Sequence, residues 1–172
     1  MDELLLEAFR HNGWATRRLL AFCRDLTRDQ LRATPPGTYG TILETLNHII
    51  YSDAGYLPRT KVTRPAWVSG DEEEIADFDQ LEARLDETVR LWEAYLSEPL
   101  DARILLILDA GAYEAQSSVP VVQALHHGNA HREQVCAIVT ALGVQPPDLQ
   151  AWTYAEETGL AREVPSGGSA TA

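Results

Sequence analysis

The sequence predicts an all-α protein, an up-and-down bundle of four helices with a small hairpin between the third and the fourth. Three observations predict this fold class. Four long stretches carry apolar residues at helical spacing, residues that start and stop helices bound these stretches, and the sequence lacks a strong set of strand patterns. The 172 residues suit a single domain with one core. We assign that domain to residues 1–160 and interpret residues 161–172, rich in Ser and Gly, as a flexible tail.

The first two helices are marked by apolar spacing and by a capping motif. Apolar residues recur at helical spacing from about residue 2 to residue 24, and a Pro-Pro-Gly run at 35–37 excludes a helix there. Thr41 and Glu44 have the spacing of a capping box, in which each side chain binds a free backbone N–H of the first turn. The second helix is therefore predicted to begin near Thr41 and to end before Pro58.

The middle of the chain predicts a connection, a third helix and a hairpin. Residues 59–76 combine proline, glycine and an acidic run, which indicates a solvated connection. Leucine, valine and tryptophan then recur with a period near 3.6 from Asp79 to about Glu98, and Pro99 ends this third helix. The short apolar run after Arg103, followed by Gly111, is typical of a short strand and turn.

The fourth helix is predicted from its two ends. Ser118 has the character of an N-cap, and Pro120 suits the first turn of a helix. The apolar pattern continues to Leu142, where a glycine and then two prolines stop it. A short final helix is expected at about 148–157.

Composition excludes several classes of function. A net charge of −12 and a pI near 4.7 do not fit nucleic acid or an anionic membrane surface, which require Lys and Arg clusters. The N-terminus lacks the features of a signal peptide, and no run approaches the roughly 20 apolar residues of a membrane span. We therefore expect a soluble cytoplasmic protein. Cys23 and Cys136 lie in apolar helical patterns and are interpreted as small buried hydrophobic residues.

The predicted fourth helix carries a pair of histidines with the spacing of metal ligands. His127 and His131 are four residues apart, so their directions differ by only about 40° around the helix axis. Both can therefore face one ion. His48, in the predicted second helix, is the best candidate for a third ligand. Three histidines from two helices would hold a divalent metal and leave one coordination position open.

Other polar residues are weaker candidates. His126 lies about 140° from His131 around the helix and is left out of the site, and His11 is interpreted as a residue of the core or the surface. Asp53 lies about 140° from His48 and is expected to be solvated, while Glu44 is explained by the capping box. A histidine pair at this spacing also arises by chance, so a purely structural role for the histidines stays open, and no catalytic residue is assigned.

Several blocks of the sequence, in this order, resemble the DinB family of bacterial four-helix metalloproteins. They are Phe9-Arg-His-Asn-Gly-Trp-Ala, Gly40-Thr-Ile-Leu-Glu-Thr-Leu-Asn-His48, and His127-x-x-x-His131-Arg-Glu-Gln-Val followed by Leu142-Gly-Val-x-Pro-Pro. The similarity extends from about residue 4 to about residue 157. It implies a bundle whose metal is held by His48, His127 and His131, and it implies a homodimer acting on a small-molecule substrate.

The resemblance leaves the chemistry open, because the family includes metal-dependent thiol transferases, a maleylpyruvate isomerase group and proteins of unknown activity. Imidazole ligands suit Zn or Ni, which we expect first, and also Fe or Cu. An ion with an open position lowers the pKa of what binds there, so a low-molecular-weight thiol could be activated for S-transfer to an electrophile, or water for hydrolysis. Two other hypotheses remain: a non-catalytic metal-binding protein of the stress response, and a protein that binds partners through its helices.

Overall fold

The structure is a computed structural model that describes residues 3–57, 63–68, 77–108 and 111–162. Within these residues the protein is mostly helical, with six helices and one two-stranded sheet. In chain order the elements are α1 (Glu3–Cys23), α2 (Arg28–Leu31), α3 (Ile42–Tyr56), α4 (Phe78–Ser97), β1 (Leu105–Leu108), β2 (Tyr113–Gln116), α5 (Ser118–Ala141) and α6 (Ala151–Glu157).

Capping boxes begin three of these helices. At α3 the Thr41 N–H donates to Glu44 Oε2 at 2.7 Å, and the Glu44 N–H donates to Thr41 Oγ1 at 3.2 Å, as the sequence predicts. These bonds lower the pKa of Glu44 from its usual value. The same device begins α4 at Asp77, and it also begins α2, a short helix that the sequence analysis did not predict.

The start of α5 differs from the prediction by one residue. The helix begins at Ser118 with Ser117 as its N-cap, so the assignment of Ser118 as N-cap was wrong. The Ser117 hydroxyl donates to the Asp101 carbonyl oxygen at 2.8 Å and makes no capping bond to the helix. The start of α5 is thus held by the segment that precedes β1.

The core lies between the four long helices α1, α3, α4 and α5. The most extensive contacts join α3 to α5 and α1 to α4. Cys23 is fully buried and Cys136 is partly buried, which confirms their interpretation as small hydrophobic residues. Burial raises the pKa of Cys23 to about 12 and that of Cys136 to about 11. The central apolar residues include Leu19, Ile42, Leu46, Ile50, Leu81, Leu85, Val135 and Ile138.

The hairpin between α4 and α5 is confirmed. Strands β1 and β2 are antiparallel, with Leu106 opposite Ala115 and Leu108 opposite Tyr113. Leu106 and Ala115 are buried, whereas Leu105 and Ile107 on β1 face outward. The sheet therefore has one face on the protein and one exposed face, on which Leu105 and Ile107 lie opposite Gln116 and Glu114.

Two predictions concern segments that the structure describes only in part. Within the predicted solvated connection, residues 63–68 pack against the protein: Pro65 is buried, and Trp67 Nε1 donates to Glu87 Oε2 on α4 at 2.8 Å. For Pro65 and Trp67 the prediction was wrong, because Trp67 has too much apolar surface to leave in water, whereas Thr63 and Ala66 are exposed as predicted. The rest of that connection, and the predicted tail from residue 163 onward, lie outside the described residues.

No helix within the described ranges has both the length and the apolar character that crossing a membrane requires.

Candidate metal centre

Helices α3 and α5 bring three histidines together. His127 and His131 lie one turn apart on the same face of α5, and His48 faces them from the middle of α3. One ligand nitrogen from each ring can be chosen so that all three lie within 4.8 Å of one another. His127 Nε2 and His48 Nε2 lie 2.9 Å apart. The structure thus brings together the three residues that the sequence singled out.

The outer nitrogens of two rings have partners of their own. His131 Nδ1 lies 2.9 Å from Gln134 Oε1, which can only accept, so this nitrogen carries the proton and Nε2 keeps its lone pair. His48 Nδ1 lies 3.5 Å from the Ser52 hydroxyl oxygen. In both rings the outer nitrogen is Nδ1, so the ligand atom directed to the centre is Nε2.

The donor set fits a divalent metal. Burial, followed by the neighbouring His131 and His48, lowers the pKa of His127 to about 4. His127 is therefore neutral at physiological pH, as a metal ligand must be. Two imidazole nitrogens 2.9 Å apart repel each other if both direct lone pairs inward, and a shared proton or a cation removes that repulsion. Three nitrogen donors are suitable for Zn²⁺ and for related transition metals.

Tyrosine rings flank the histidine triad. Tyr39, in the segment before α3, stacks on His48, with ring centroids 3.9 Å apart and planes at 14°. Its ring meets that of His131 edge to face, with centroids 5.4 Å apart. Tyr39 is 50% exposed, so it lies between the triad and water. Tyr56, at the end of α3, meets the His127 ring at 5.5 Å, and its hydroxyl accepts from Gln123 Nε2 at 3.4 Å.

A buried polar network links the three helices α1, α3 and α5. Asn12 on α1 joins its two charged members: Asn12 Nδ2 donates to Asp53 Oδ2 at 3.2 Å, and Asn12 Oδ1 accepts from Arg132 Nη1 at 2.8 Å. Arg132 also donates to Thr16 Oγ1 at 3.0 Å. We refer to Asn12, Thr16, Asp53 and Arg132 as the Asn12 network; because Arg132 follows His131 directly, it ties the metal-ligand helix to α1.

Burial dominates the ionisation of this network. Loss of water raises the pKa of Asp53 to about 7, although Arg132 and Asn12 both act in the opposite direction. Loss of water likewise lowers the pKa of Arg132 to about 10. The second carboxylate oxygen, Asp53 Oδ1, is buried and has no hydrogen-bond partner among the residues that the structure describes. Asp53 therefore keeps its proton to a much higher pH than a solvated aspartate does.

The network also explains a glycine between the two histidines of α5. A Cβ atom on Gly128 would lie 2.8 Å from Asn12 Oδ1, closer than real Cβ contacts, and 3.0 Å from Arg132 Nη1, which is tighter than most of them. The absence of a side chain at this position therefore permits the close approach of α1 and α5.

Other sequence predictions at the site have mixed outcomes. His126 is exposed beside the triad, as its helical direction predicts, and His11 lies elsewhere, with Nε2 2.9 Å from the Leu149 carbonyl oxygen. The prediction that Asp53 is solvated was wrong, because its side chain is only 6% exposed. Asp53 lies on the side of α3 away from His48, but that side packs against α1 and α4. Asn12 on α1 donates to its carboxylate, and Trp92 on α4 donates to its backbone carbonyl oxygen.

Two neighbours of the triad were missed. Gln134 follows His131 by three residues, a spacing that places it on the same helix face and could have indicated a contact. Tyr39 lies in a segment rich in proline and glycine, where periodicity gives no signal, so only the structure identifies it.

Comparison with known proteins gives one family. The model of the DinB family matches residues 1–164 of this chain. Among curated proteins, none is similar enough to this chain to count as a match.

Proposed function

This chain belongs to the DinB family, and we propose that it is a metal-dependent enzyme whose divalent ion is held by His48, His127 and His131. Zn or Ni is the proposed ion, with Fe or Cu as alternatives. We also propose that the four long helices form an up-and-down four-helix bundle, since such bundles build metal sites from the inward side chains of facing helices.

The observation that carries this proposal is the convergence of three nitrogen donors from two helices. His48 is 79 residues from His127 in sequence, yet their Nε2 atoms lie 2.9 Å apart. His48 and His131 each have a separate partner for Nδ1, yet one ligand nitrogen from each of the three rings lies at a common centre. A metal site explains this arrangement better than a structural role does.

The proposed reaction is transfer of a low-molecular-weight thiol to a small electrophilic substrate. The bound ion would lower the pKa of the thiol held at its open position. Within the chain, the histidines hold that centre, Gln134 orients His131, and Tyr39 and Tyr56 provide aromatic surface beside it. One carbon–sulfur bond forms, the bond to the leaving group breaks, and the leaving group takes the proton of the thiol.

Two other functions use the same site. Water in place of the thiol would make the protein a hydrolase, and a site without turnover would make it a metal-binding protein of the stress response. We favour the thiol because the two tyrosine rings beside the triad offer apolar surface to a substrate larger than water.

The first test is the metal content of the protein purified without a histidine tag. We expect about one equivalent of a transition metal in the wild type, and at least a 100-fold loss of affinity in His48→Ala and in His127→Ala, because each removes one of three ligands. His126→Ala is the matched control: it removes an exposed histidine next to the site and should keep the metal. A wild type that cannot be loaded with any of the four metals would contradict the proposal.

The second test assigns the chemistry. The metal-loaded protein is mixed with a small thiol and an alkylating electrophile, and loss of free thiol is followed with wild type and with His127→Ala. Thiol loss that depends on the metal supports S-transfer. Hydrolysis of an ester or amide substrate without thiol loss would identify a hydrolase, and the absence of both from a fully loaded protein would favour the non-catalytic alternative.

We further propose that the protein is a homodimer in which the hairpin of one copy meets that of the other. Leu105, Ile107 and Tyr113 on the hairpin, with Val119 and Val122 on the first turns of α5, are between 50% and 66% exposed. A lone two-stranded sheet is marginally stable, and a two-fold axis would cover Leu105 and Ile107, on the outer face of the hairpin, with the same face of a second copy.

Light scattering after gel filtration tests the dimer. We expect twice the chain mass for wild type and the monomer mass for Leu105→Lys, because a lysine there lies opposite the uncharged Gln116 and would be buried in the contact without a partner charge directly across the hairpin. Leu160→Lys, at an exposed leucine after α6, is the control and should stay dimeric. A monomeric wild type at micromolar concentration would refute this assembly.

We place the protein in the cytoplasm. Its two cysteines are free thiols, one of them fully buried, which is the usual state in a reducing compartment. Recovery of the protein in the membrane or secreted fraction of cells would contradict this location.

A further inference from the structure

Gln134 contacts both the histidine triad and the segment that leads into α3. It lies three residues after His131 and therefore on the same face of α5. Its Oε1 atom accepts a hydrogen bond from His131 Nδ1 at 2.9 Å and another from the Tyr39 backbone N–H at 3.3 Å. An amide oxygen has two lone pairs, so it can accept both bonds at once.

The first of these bonds fixes the form of His131. A neutral imidazole has one protonated nitrogen, and the nitrogen that faces Gln134 Oε1 must be the one that carries hydrogen. The lone pair of His131 is then on Nε2. Partners of this kind hold the tautomer and the ring orientation of a metal-binding histidine and raise its basicity.

The second bond fixes the backbone of Tyr39, whose ring covers His48. The turn that presents Tyr39 is defined by Gly37, with φ of 88°, and by the Thr38 hydroxyl, which donates to the Pro35 carbonyl oxygen at 2.8 Å. From this turn the Tyr39 ring lies nearly parallel to His48 at 3.9 Å. The same oxygen atom thus contacts one histidine of the triad and the backbone of the residue that covers another.

We propose that Gln134 is a positioning residue that holds His131 in the form with Nε2 free and seats Tyr39 as a cover over His48. This inference rests on the proposed metal site. It adds that one amide oxygen, Gln134 Oε1, both orients His131 and holds Tyr39 where its ring covers His48. Tyr39 is half exposed, so a ligand entering on this side meets its ring before the histidines.

Zinc affinity, measured by competition with a chromophoric chelator, is the first test. Gln134→Met keeps the size and helix propensity of the side chain but removes the acceptor, and we expect 10- to 100-fold weaker binding. Gln134→Glu retains Oε1 and should bind zinc at least as tightly as wild type. Gln123→Met is the matched control on the same helix: it removes a hydrogen bond to the Tyr56 hydroxyl and none to a histidine nitrogen, so it should change affinity less than about twofold.

Two measurements on zinc-free protein test the inference independently of the metal. Long-range ¹⁵N–¹H spectra of the histidines should show His131 protonated at Nδ1 in wild type and in Gln134→Glu, and a mixture of forms in Gln134→Met. Hydrogen exchange at the Tyr39 amide should accelerate about tenfold in Gln134→Met only, because that N–H loses its acceptor.

The outcomes separate this inference from the proposed function. If wild type binds none of the four metals, the proposed function fails, while the histidine spectra and the Tyr39 amide still decide the role of Gln134. If Gln134→Met leaves the spectra, the amide exchange and the zinc affinity unchanged, the positioning role is overturned. Gln134→Ala provides a second variant without the acceptor, and far-UV circular dichroism verifies that each variant is folded.

Discussion

Asp53→Asn is expected to stabilise the metal-free protein by up to about 4 kcal/mol at pH 8, and by only about 1–2 kcal/mol at pH 5. Burial raises the pKa of Asp53 from 3.8 to about 7 in the folded protein. An asparagine has the shape of the protonated carboxyl group but never ionises. The variant therefore avoids the cost of an ionised Asp53 and should retain the hydrogen bond from Asn12.

The direction of this effect follows from proton binding. Between pH 4 and pH 7 the folded protein holds a proton on Asp53 that the unfolded chain has released, so the free energy of unfolding falls as the pH rises. Each unit of pKa difference corresponds to 1.36 kcal/mol, and a difference of about three units gives about 4 kcal/mol. Above pH 7 both states are ionised at this residue and the loss is complete.

Histidine ionisation must be separated from this effect. The pKa of His127 is lowered to about 4, so its contribution has the opposite sign: stability is lost as the pH falls from about 6.5 to 4. The measurement is therefore the difference in urea unfolding between wild type and Asp53→Asn, with chelator present, from pH 5 to pH 8. Asp25→Asn changes an exposed carboxylate and is the control. Parallel curves for wild type and Asp53→Asn would rule out a raised pKa for Asp53.

Arg132→Met is expected to destabilise the protein by about 3–5 kcal/mol at pH 8, the usual cost of removing one member of a buried charged set. Arg132 is 3% exposed, and it donates to Asn12 and Thr16. Methionine fills a similar volume but leaves those acceptors without a donor, and it leaves the ionised Asp53 without a nearby cation.

Urea unfolding followed by circular dichroism measures this loss. The loss should be smaller at pH 5, where Asp53 is protonated, and adding Asp53→Asn to Arg132→Met should recover part of the stability at pH 8. Arg10→Met, at an exposed arginine, should change stability by less than about 1 kcal/mol. If Arg132→Met behaved like Arg10→Met, the Asn12 network would not stabilise the protein.

The features that the sequence predicted correctly are those that depend on the spacing of nearby residues. The four long helices, the hairpin, the capping box at Thr41 and the shared direction of His127 and His131 all follow from regular periods or from short motifs. His48 was chosen as the third ligand because it lies within another predicted helix, and the resemblance to the DinB family supported that choice, since no rule of spacing connects residues 79 positions apart.

What the sequence did not predict depends on which faces of a helix are covered. Asp53 was assigned to solvent because it points away from His48, but α3 is packed on more than one side, so this direction is also interior. Trp67 was missed because a segment rich in proline and charge can still contribute one large apolar ring to a neighbouring helix. Both errors concern partners from distant parts of the chain.

The origin of the ligands on two separate helices makes the metal site a reporter of folding. Since His48 comes from α3 and the other two ligands from α5, the complete site exists only while these helices are docked. An ion that binds the folded state alone adds about 2.7 kcal/mol to stability when its concentration is 100 times its dissociation constant. The rise in melting temperature with each divalent ion would therefore rank the metals by affinity, without any knowledge of the substrate.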